Sequence, residues 1–119
     1  LSGARRILEI GTLAGYSAVW MVRALPPQGL LVTIEKSARH AAIARRNFTR
    51  AAVSERILLL EGEAQAMLAQ AEQYAPFDFV FLDADKEGYP AYYEWALARL
   101  PAGGVVAAHN ALWGGSVTR

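Results

Sequence analysis

The sequence contains no cysteine, which excludes a disulfide framework, a thiolate nucleophile and a zinc site built from cysteines. Such a composition suits a reducing compartment, and we predict a cytoplasmic protein. Long apolar runs are also missing, since stretches such as Ile57–Leu60 fall far short of the about 20 residues that span a bilayer. Charge of one sign is not in excess, because 12 basic and 11 acidic residues leave a net charge of +1. We therefore expect neither a membrane nor a nucleic acid as a partner.

The chain has enough apolar residues to build one folded core. Its 119 residues fit a single domain, and 54% of them are hydrophobic while 19% are charged. The sequence lacks an initiator methionine and reaches its first apolar run at Arg6–Ile10. We therefore predict that residues 1–119 form the single core domain of a longer protein.

Apolar stretches alternate with segments of helical character along the whole chain. The predicted strands are Arg6–Ile10, Leu30–Ile34, Ile57–Leu60, Phe77–Leu82 and Val105–Ala108. The predicted helices are Tyr16–Leu25, Ser37–Ala52, Ala64–Tyr74 and Tyr89–Leu100, and Ser37 is a candidate N-cap. Because apolar strands that alternate with helices form parallel sheets covered on both faces, we predict an α/β fold. It is a Rossmann-like doubly wound sheet of about five parallel strands, in the order 3-2-1-4-5, with helices on both faces. Residues Ala111–Arg119 show no clear strand or helix partner.

The turn after the first strand is the most informative segment. Gly11 lets the backbone approach a ligand closely, and Gly15 lets the following helix start close to the sheet. Thr12 and Ser17 supply hydroxyl groups nearby. Glu35 follows Gly15 by 20 residues at the end of the second strand, where a carboxylate can bind both ribose hydroxyls. This pattern favours a nucleoside ligand; the alternative is that the glycines only shape a turn and Glu35 caps a helix.

The spacing of the glycines and the position of Glu9 argue against a dinucleotide. A pyrophosphate needs closely spaced glycines and helix amides, and the carboxylate of Glu9 would repel it. The same carboxylate can pair with an ammonium group. S-adenosylmethionine (SAM) carries an ammonium group for Glu9 and a ribose for Glu35. Glu9 could instead be a solvent-facing or structurally paired carboxylate.

Five segments together resemble the cation-dependent O-methyltransferases of the caffeoyl-CoA and catechol type, a group of class I SAM-dependent methyltransferases, with the bacterial members most similar. The segments are Glu9–Ser17, Ile34–Glu35, Gly62–Ala64, Leu82–Lys86 and His109–Gly115. The most specific feature is Asp83-Ala-Asp85-Lys86 followed, after one helix, by Asn110-Ala-Leu-Trp113. Members of this family have N-terminal helices and C-terminal strands that this core lacks, and the resemblance implies a homodimer.

The resemblance also assigns cofactor-binding residues. The residues that match the SAM-binding positions are Glu9, Gly11, Thr12, Ser17, Glu35, Ala64, Asp85 and Tyr92, and Gly15 completes the same turn. The matches imply that the first turn lines the methionine and ribose end of SAM, that Glu35 holds the ribose and that Ala64 lies by the adenine.

Asp83 and Lys86 are the predicted catalytic residues. The resemblance implies that Asp83 binds a divalent cation, which lowers the pKa of an acceptor hydroxyl, and that Lys86 is the general base. Asn110 is a further predicted metal ligand. The alternative is a solvated loop whose charges form local ion pairs.

His109 departs from the family, which has an aspartate at this metal-ligand position. Oxygen ligands suit magnesium and manganese, whereas imidazole favours softer metals. Three outcomes are open: His109 binds a softer metal, or magnesium binds weakly through Asp83 and Asn110, or no metal binds. We predict a SAM-dependent O-methyltransferase that acts on a small catechol-like or phenolic acceptor with help from a divalent cation. The alternative is a non-catalytic or metal-independent SAM-binding domain.

Several aromatic and basic residues receive simpler interpretations. Trp113 either forms a wall of the acceptor pocket or has a structural role, and Trp95 packs its helix against the sheet. His40 is predicted to be a surface residue. The arginines that we expect to form one solvated helix face are Arg39, Arg45, Arg46 and Arg50. A nucleic-acid methyltransferase is disfavoured because Asp83–Lys86 replaces the Asn/Asp-Pro-Pro-Tyr/Phe motif common in those acting on exocyclic amines.

Overall fold

A computed structural model describes residues 5–12, 15–82, 89–108 and 115–118. The strands are β1 (Arg6–Ile10), β2 (Leu30–Glu35), β3 (Ile57–Glu61), β4 (Phe79–Leu82), β5 (Val105–Ala108) and β6 (Gly115–Thr118). The helices are α1 (Tyr16–Arg23), α2 (Ala38–Arg50), α3 (Ala64–Ala71) and α4 (Tyr89–Ala98), with short 3-10 helices at Ser54–Arg56 and Glu72–Tyr74. The sheet order is β3-β2-β1-β4-β5-β6, and the first five of these strands are parallel. The predicted fold class and strand order are therefore confirmed.

The sixth strand was not predicted. β6 pairs antiparallel with β5, and Val117 lies opposite Val106. The expectation that residues 111–119 lack a strand partner is wrong for Gly115–Thr118. This segment reads Gly-Ser-Val-Thr and has a single bulky apolar residue, so it gives no apolar run.

Two apolar layers lie on opposite faces of the sheet, because successive residues of a strand point in opposite directions. On one face, α1 and α2 pack against strand residues that include Ile7, Leu31 and Ile57. On the other face, α3 and α4 pack against residues that include Leu8 and Val32. The prediction of helices on both faces is thus confirmed.

Helix α1 ends at Arg23, before Pro26 and Pro27, which cannot continue a helix. The guanidinium of Arg56 closes this end of the helix. Its Nη2 atom donates to the carbonyl oxygens of Val22, Leu25 and Pro26 at 2.9, 3.0 and 2.8 Å. One side chain from the segment before β3 therefore binds three carbonyls at and just beyond the end of α1, and those of Val22 and Pro26 also accept the Leu25 and Gly29 amides.

Helix α2 begins as predicted. The Ser37 hydroxyl accepts a hydrogen bond from the His40 amide at 3.2 Å, which confirms Ser37 as the N-cap. The arginines that were expected to face solvent, Arg39, Arg45, Arg46 and Arg50, are all exposed.

We expect Ser37→Ala to lower the free energy of unfolding by about 1 kcal/mol, because it removes the side-chain oxygen that accepts the His40 amide at this cap. Urea denaturation measures the change. The matched control is Ser37→Asp, which keeps a good N-cap acceptor. Equal losses in the two variants would show that the cap hydrogen bond contributes nothing.

Trp95 packs against the core, as predicted. Its ring centroid lies 6.2 Å from that of Phe77, and the guanidinium carbon of Arg99 lies 4.2 Å from the Trp95 centroid. Arg99 also donates to Glu72, and this hydrogen bond lowers the pKa of the Glu72 carboxyl. Trp95 therefore has a structural role. Within the described part of the chain, no helix is both long and apolar enough to cross a membrane.

Candidate active site at the carboxyl ends of the strands

The carboxyl ends of five strands form one row across the sheet. Ile10 of β1 pairs in register with Ile34 of β2 and with Leu82 of β4, and Leu82 pairs with Ala108 of β5. Leu60 of β3 extends the row beyond Ile34. Residues at this edge therefore come from separate parts of the sequence, as is typical of ligand-binding edges in open α/β sheets.

Glu9 is a fully buried carboxylate just before this row. It is 0% exposed, and its register partner in β2 is Thr33, which is also 0% exposed. The Thr33 hydroxyl donates to Glu9 Oε1 at 2.6 Å, and the Ser17 hydroxyl donates to Glu9 Oε2. These bonds offset part of the cost of burying a carboxylate. The alternative that Glu9 faces solvent is therefore wrong. The alternative that it is paired within the structure is correct to the extent that Ser17 and Thr33 bind it.

Thr33 was missed by the sequence analysis. The available signal was a single hydroxyl residue within the otherwise apolar run Leu30–Ile34. Such a residue is common in strands, and only the register of β1 against β2 shows that it faces Glu9.

Glu35 lies two residues after Thr33, on the same side of β2, and is 5% exposed. Its Oε2 atom accepts the Ser37 amide at 3.0 Å and lies 3.7 Å from His40 Nδ1. The carboxylate thus helps to hold the start of α2, as expected from the alternative interpretation in which Glu35 caps a helix. Binding of ribose hydroxyls by the same carboxylate stays a prediction.

His40 was expected to be a surface residue, and its side chain is indeed 46% exposed. Its ring nonetheless lies beside Glu35, because the first turn of α2 returns over the end of β2. No local pattern in the sequence indicates this proximity, since the orientation of a helix start depends on its cap.

The turn between β1 and α1 uses two glycines with positive φ, 97° at Gly11 and 88° at Gly15. The Gly11 amide donates to the Ile34 carbonyl at 2.7 Å, and the Gly15 amide donates to the Thr12 carbonyl at 2.9 Å. Because both amides already bind main-chain oxygens, neither is available to a pyrophosphate. This agrees with the argument against a dinucleotide.

Gly15 allows a close approach to helix α2. A Cβ atom at Gly15 would lie 2.7 Å from Phe48 Cε1 and 3.1 Å from the Cα atom of Ala44, both on α2. This contact arises because α1 and α2 pack side by side on one face of the sheet. The role of Gly15 in bringing α1 close to the sheet stays a prediction.

Thr12 is the residue whose environment points most directly to a ligand. It is 2% exposed, and no described residue provides a hydrogen-bond partner for its buried hydroxyl. Buried hydroxyls are ordinarily hydrogen-bonded, so this one fits a bound polar group. Half-buried Gly11 lies in the same turn and half-buried Ser17 follows at the start of α1, so this region suits the polar end of a nucleoside ligand.

The other predicted site residues divide into two groups. Ala64 and Tyr92 are buried in the core layer formed with α3 and α4, on the opposite face of the sheet from Ile7 and Leu31. Ala64 begins α3 directly after the end of β3. The residues that lie outside the described part of the chain are Asp83, Asp85, Lys86, His109, Asn110 and Trp113. Among the described residues, no group of three or more His, Cys, Asp or Glu side chains could hold a metal ion.

Comparison with known proteins finds a matching family. The sequence model of the family described as O-methyltransferase matches residues 1–119. The catechol O-methyltransferase of Niastella koreensis is 44% identical over 119 residues, covering 98% of this chain and 54% of that protein.

Two solved structures are also similar. The O-methyltransferase from Bacillus cereus in complex with SAH has 50% identity and a TM-score of 0.87, over 91% of this chain and 50% of that one. The O-methyltransferase from Streptomyces achromogenes involved in tomaymycin synthesis, in complex with SAM, has 44% identity and a TM-score of 0.88. This second similarity covers 93% of this chain and 51% of the Streptomyces achromogenes chain. The chain thus spans about half the length of these relatives. Since the family match covers every residue, this chain belongs to the O-methyltransferase family.

Proposed function

We propose that this chain is the SAM-binding core of an O-methyltransferase that transfers a methyl group to a hydroxyl of a small acceptor. The observation that carries the proposal is the buried Thr12 hydroxyl, for which no described residue provides a partner, three residues after the hydroxyl-bound carboxylate of Glu9. Both lie at the strand edge where α/β sheets bind ligands. Family membership and the SAM and SAH complexes of similar proteins support the same conclusion.

Each of the predicted cofactor-binding residues has a proposed task. Glu9 provides negative charge for the amino group of SAM, acting from a buried position where charge is weakly screened. Ser17, which is half-buried, provides an oxygen that contacts this group, and Glu35 binds the ribose hydroxyls. Gly11, Thr12 and Gly15 shape and line the turn. The proposed contacts further along the chain are Ala64, Asp85 and Tyr92. When bound, SAM supplies an electrophilic methyl group on a sulfonium.

We propose that Asp83, His109 and Asn110 hold a divalent cation and that Lys86 accepts the proton of the acceptor hydroxyl. The strands before these residues end at Leu82 and Ala108, which are register partners. The chain therefore enters the two segments from neighbouring strand ends, which supports a shared site. A divalent cation, when bound there, lowers the pKa of a neighbouring hydroxyl.

The proposed acceptor is catechol-like or phenolic. The 44% identical relative from Niastella koreensis is a catechol O-methyltransferase, and Trp113 is the proposed aromatic wall of the acceptor pocket. A homodimer, a cytoplasmic location and a single core domain over residues 1–119 stay predictions.

Calorimetry with SAM and SAH tests the cofactor. We expect both to bind the chain with a micromolar Kd, on the order of 8 kcal/mol of binding free energy. Absence of binding to both, in a protein whose circular dichroism shows it to be folded, would contradict the proposal.

Methylation of catechol tests the metal and the acceptor. We expect methyl transfer from SAM in magnesium or manganese, and its loss with a chelator. His109→Asp restores a carboxylate ligand, so we expect magnesium-dependent activity to rise several-fold. If the chain binds SAM but methylates no phenolic acceptor in either form, the alternative of a non-catalytic SAM-binding domain is favoured.

A further inference from the structure

Thr33 is a polar residue at a position where an apolar one would be expected. It is 0% exposed, and its strand neighbours Val32 and Ile34 are buried in the core. Valine has nearly the same shape and an equally high preference for strands, and it would bring no hydroxyl into the interior. The Thr33 hydroxyl lies 2.6 Å from Glu9 Oε1, across the register pair that joins β1 and β2. The hydroxyl therefore has a specific task, which is to bind the Glu9 carboxylate.

The direction of the hydrogen bonds limits what this cluster can offer a ligand. A hydroxyl has one proton and two acceptor lone pairs, and an ionised carboxylate has acceptor sites only. Thr33 donates its proton to Glu9 Oε1, and Ser17 donates its proton to Glu9 Oε2. The remaining capacity of these three side chains is therefore to accept hydrogen bonds.

Ser17 is the member of the cluster that a ligand can reach, because it is half-buried while Glu9 and Thr33 are fully buried. With its proton directed to Glu9, the Ser17 oxygen presents lone pairs to the ligand. An ammonium group, which carries three donors and a positive charge, fits such a surface. A carboxylate or phosphate does not, because it would meet acceptor atoms and a buried negative charge.

We infer that Thr33 is a positioning residue that holds Glu9, and through it the Ser17 hydroxyl, in the orientation that selects the amino group of the cofactor. The inference rests on the proposed function, since it needs SAM as the ligand. Thr33 touches no ligand atom itself, and its effect is confined to the amino-acid end of the cofactor.

The test compares two ligands that share the adenosine group and differ in the amino acid. SAH carries the amino acid, and 5′-methylthioadenosine lacks it. We expect Thr33→Val to weaken SAH binding about 5- to 10-fold, which is less than the full effect of a hydrogen bond to a charged group because Thr33 acts on the ligand only through Glu9. Binding of 5′-methylthioadenosine should change less than about twofold. Thr33→Ser keeps the hydroxyl and should retain most of the wild-type affinity for SAH. Calorimetry gives the dissociation constants, and circular dichroism checks the fold.

Thr49→Val is the matched control. Thr49 lies on the exposed side of α2, where its hydroxyl binds the Arg45 carbonyl, so this variant should bind both ligands as the wild type does. If Thr33→Val does not fold, Thr33→Ala provides the same comparison without the added methyl group.

Three results would overturn the inference. Unchanged SAH binding in Thr33→Val would show that the Thr33 hydroxyl does not contribute to cofactor binding. Equal weakening of SAH and 5′-methylthioadenosine binding would indicate a general distortion of the site. Failure of Thr33→Ser to retain affinity would show that the hydroxyl is not the relevant group. These results differ from failure of the proposed function, in which the wild-type chain binds neither SAH nor 5′-methylthioadenosine.

Discussion

Replacing Glu35 with alanine is expected to weaken SAM binding about 30- to 700-fold, or about 2–4 kcal/mol. The proposed role of Glu35 is to accept hydrogen bonds from two ribose hydroxyls, and bonds to a charged acceptor are worth more than those between neutral groups. The carboxylate is 5% exposed, so water would replace these bonds poorly. Calorimetry with SAM measures the loss, and 5′-methylthioadenosine, which keeps the ribose, should lose affinity to a similar extent.

Glu61→Ala is the matched control for Glu35→Ala. Glu61 is the register partner of Glu35 at the end of β3, but its side chain is 38% exposed and paired with Arg45 at 2.9 Å. We expect this variant to change SAM binding less than about threefold, since exposed ion pairs contribute little. Glu35 also accepts the Ser37 amide, so thermal unfolding must show that Glu35→Ala remains folded at the assay temperature. Equal effects of the two substitutions would remove the assignment of Glu35 to the ribose.

Gly15→Ala is expected to lower the free energy of unfolding by about 2–5 kcal/mol. Part of this loss comes from φ of 88°, a backbone conformation that costs about 1–2 kcal/mol for a residue with a Cβ atom. The rest comes from overpacking, because the new methyl group would lie 2.7 Å from Phe48 Cε1 and 3.1 Å from the Ala44 backbone. Urea denaturation gives the free energy.

Gly103→Ala separates the two causes. Gly103 has a nearly identical φ of 87°, but apart from its chain neighbours no described residue has an atom within 4 Å of the position its Cβ would take. We expect this control to lose about 1–2 kcal/mol, the backbone cost alone. If Gly15→Ala lowers the free energy of unfolding no more than Gly103→Ala does, then α2 moves aside with no measurable loss of stability. The close packing of α1 on α2 would then not be the reason for a glycine at this position.

The parallel core was predictable because burial on both faces leaves a plain signal in the sequence. A strand such as Leu30–Glu35 is covered on both faces, so most of its residues are apolar. A run this short is also more easily read as a strand than as a helix. β6 carries no such signal, because it lies at the end of the sheet order and pairs with one strand only. Its pairing depends on β5 being in place, which no local pattern in Gly115–Thr118 expresses.

The candidate site was predictable where function and local structure coincide. Gly11 and Glu35 stand directly at strand ends, where the turn and the strand boundary are visible in the sequence. Thr33 and His40 reach the site through strand register and through the start of α2, and neither can be derived from spacing. The predicted metal ligands and Lys86 rest on the family resemblance and stay predictions.

The hydrogen bonds from Arg56 to the end of α1 couple the local unfolding of two distant segments. Its three carbonyl partners lie 30 to 34 residues earlier in the chain, so fraying of α1 at Val22–Leu25 also releases the segment that leads into β3. We therefore expect the amide protons of Leu25 and Ile57 to exchange with solvent in one cooperative event, more slowly than the amide proton of the exposed loop residue Gln28. Because α1 starts at the Gly11–Gly15 turn, an anchor at its far end would limit how far that turn can drift between ligand-free and ligand-bound states.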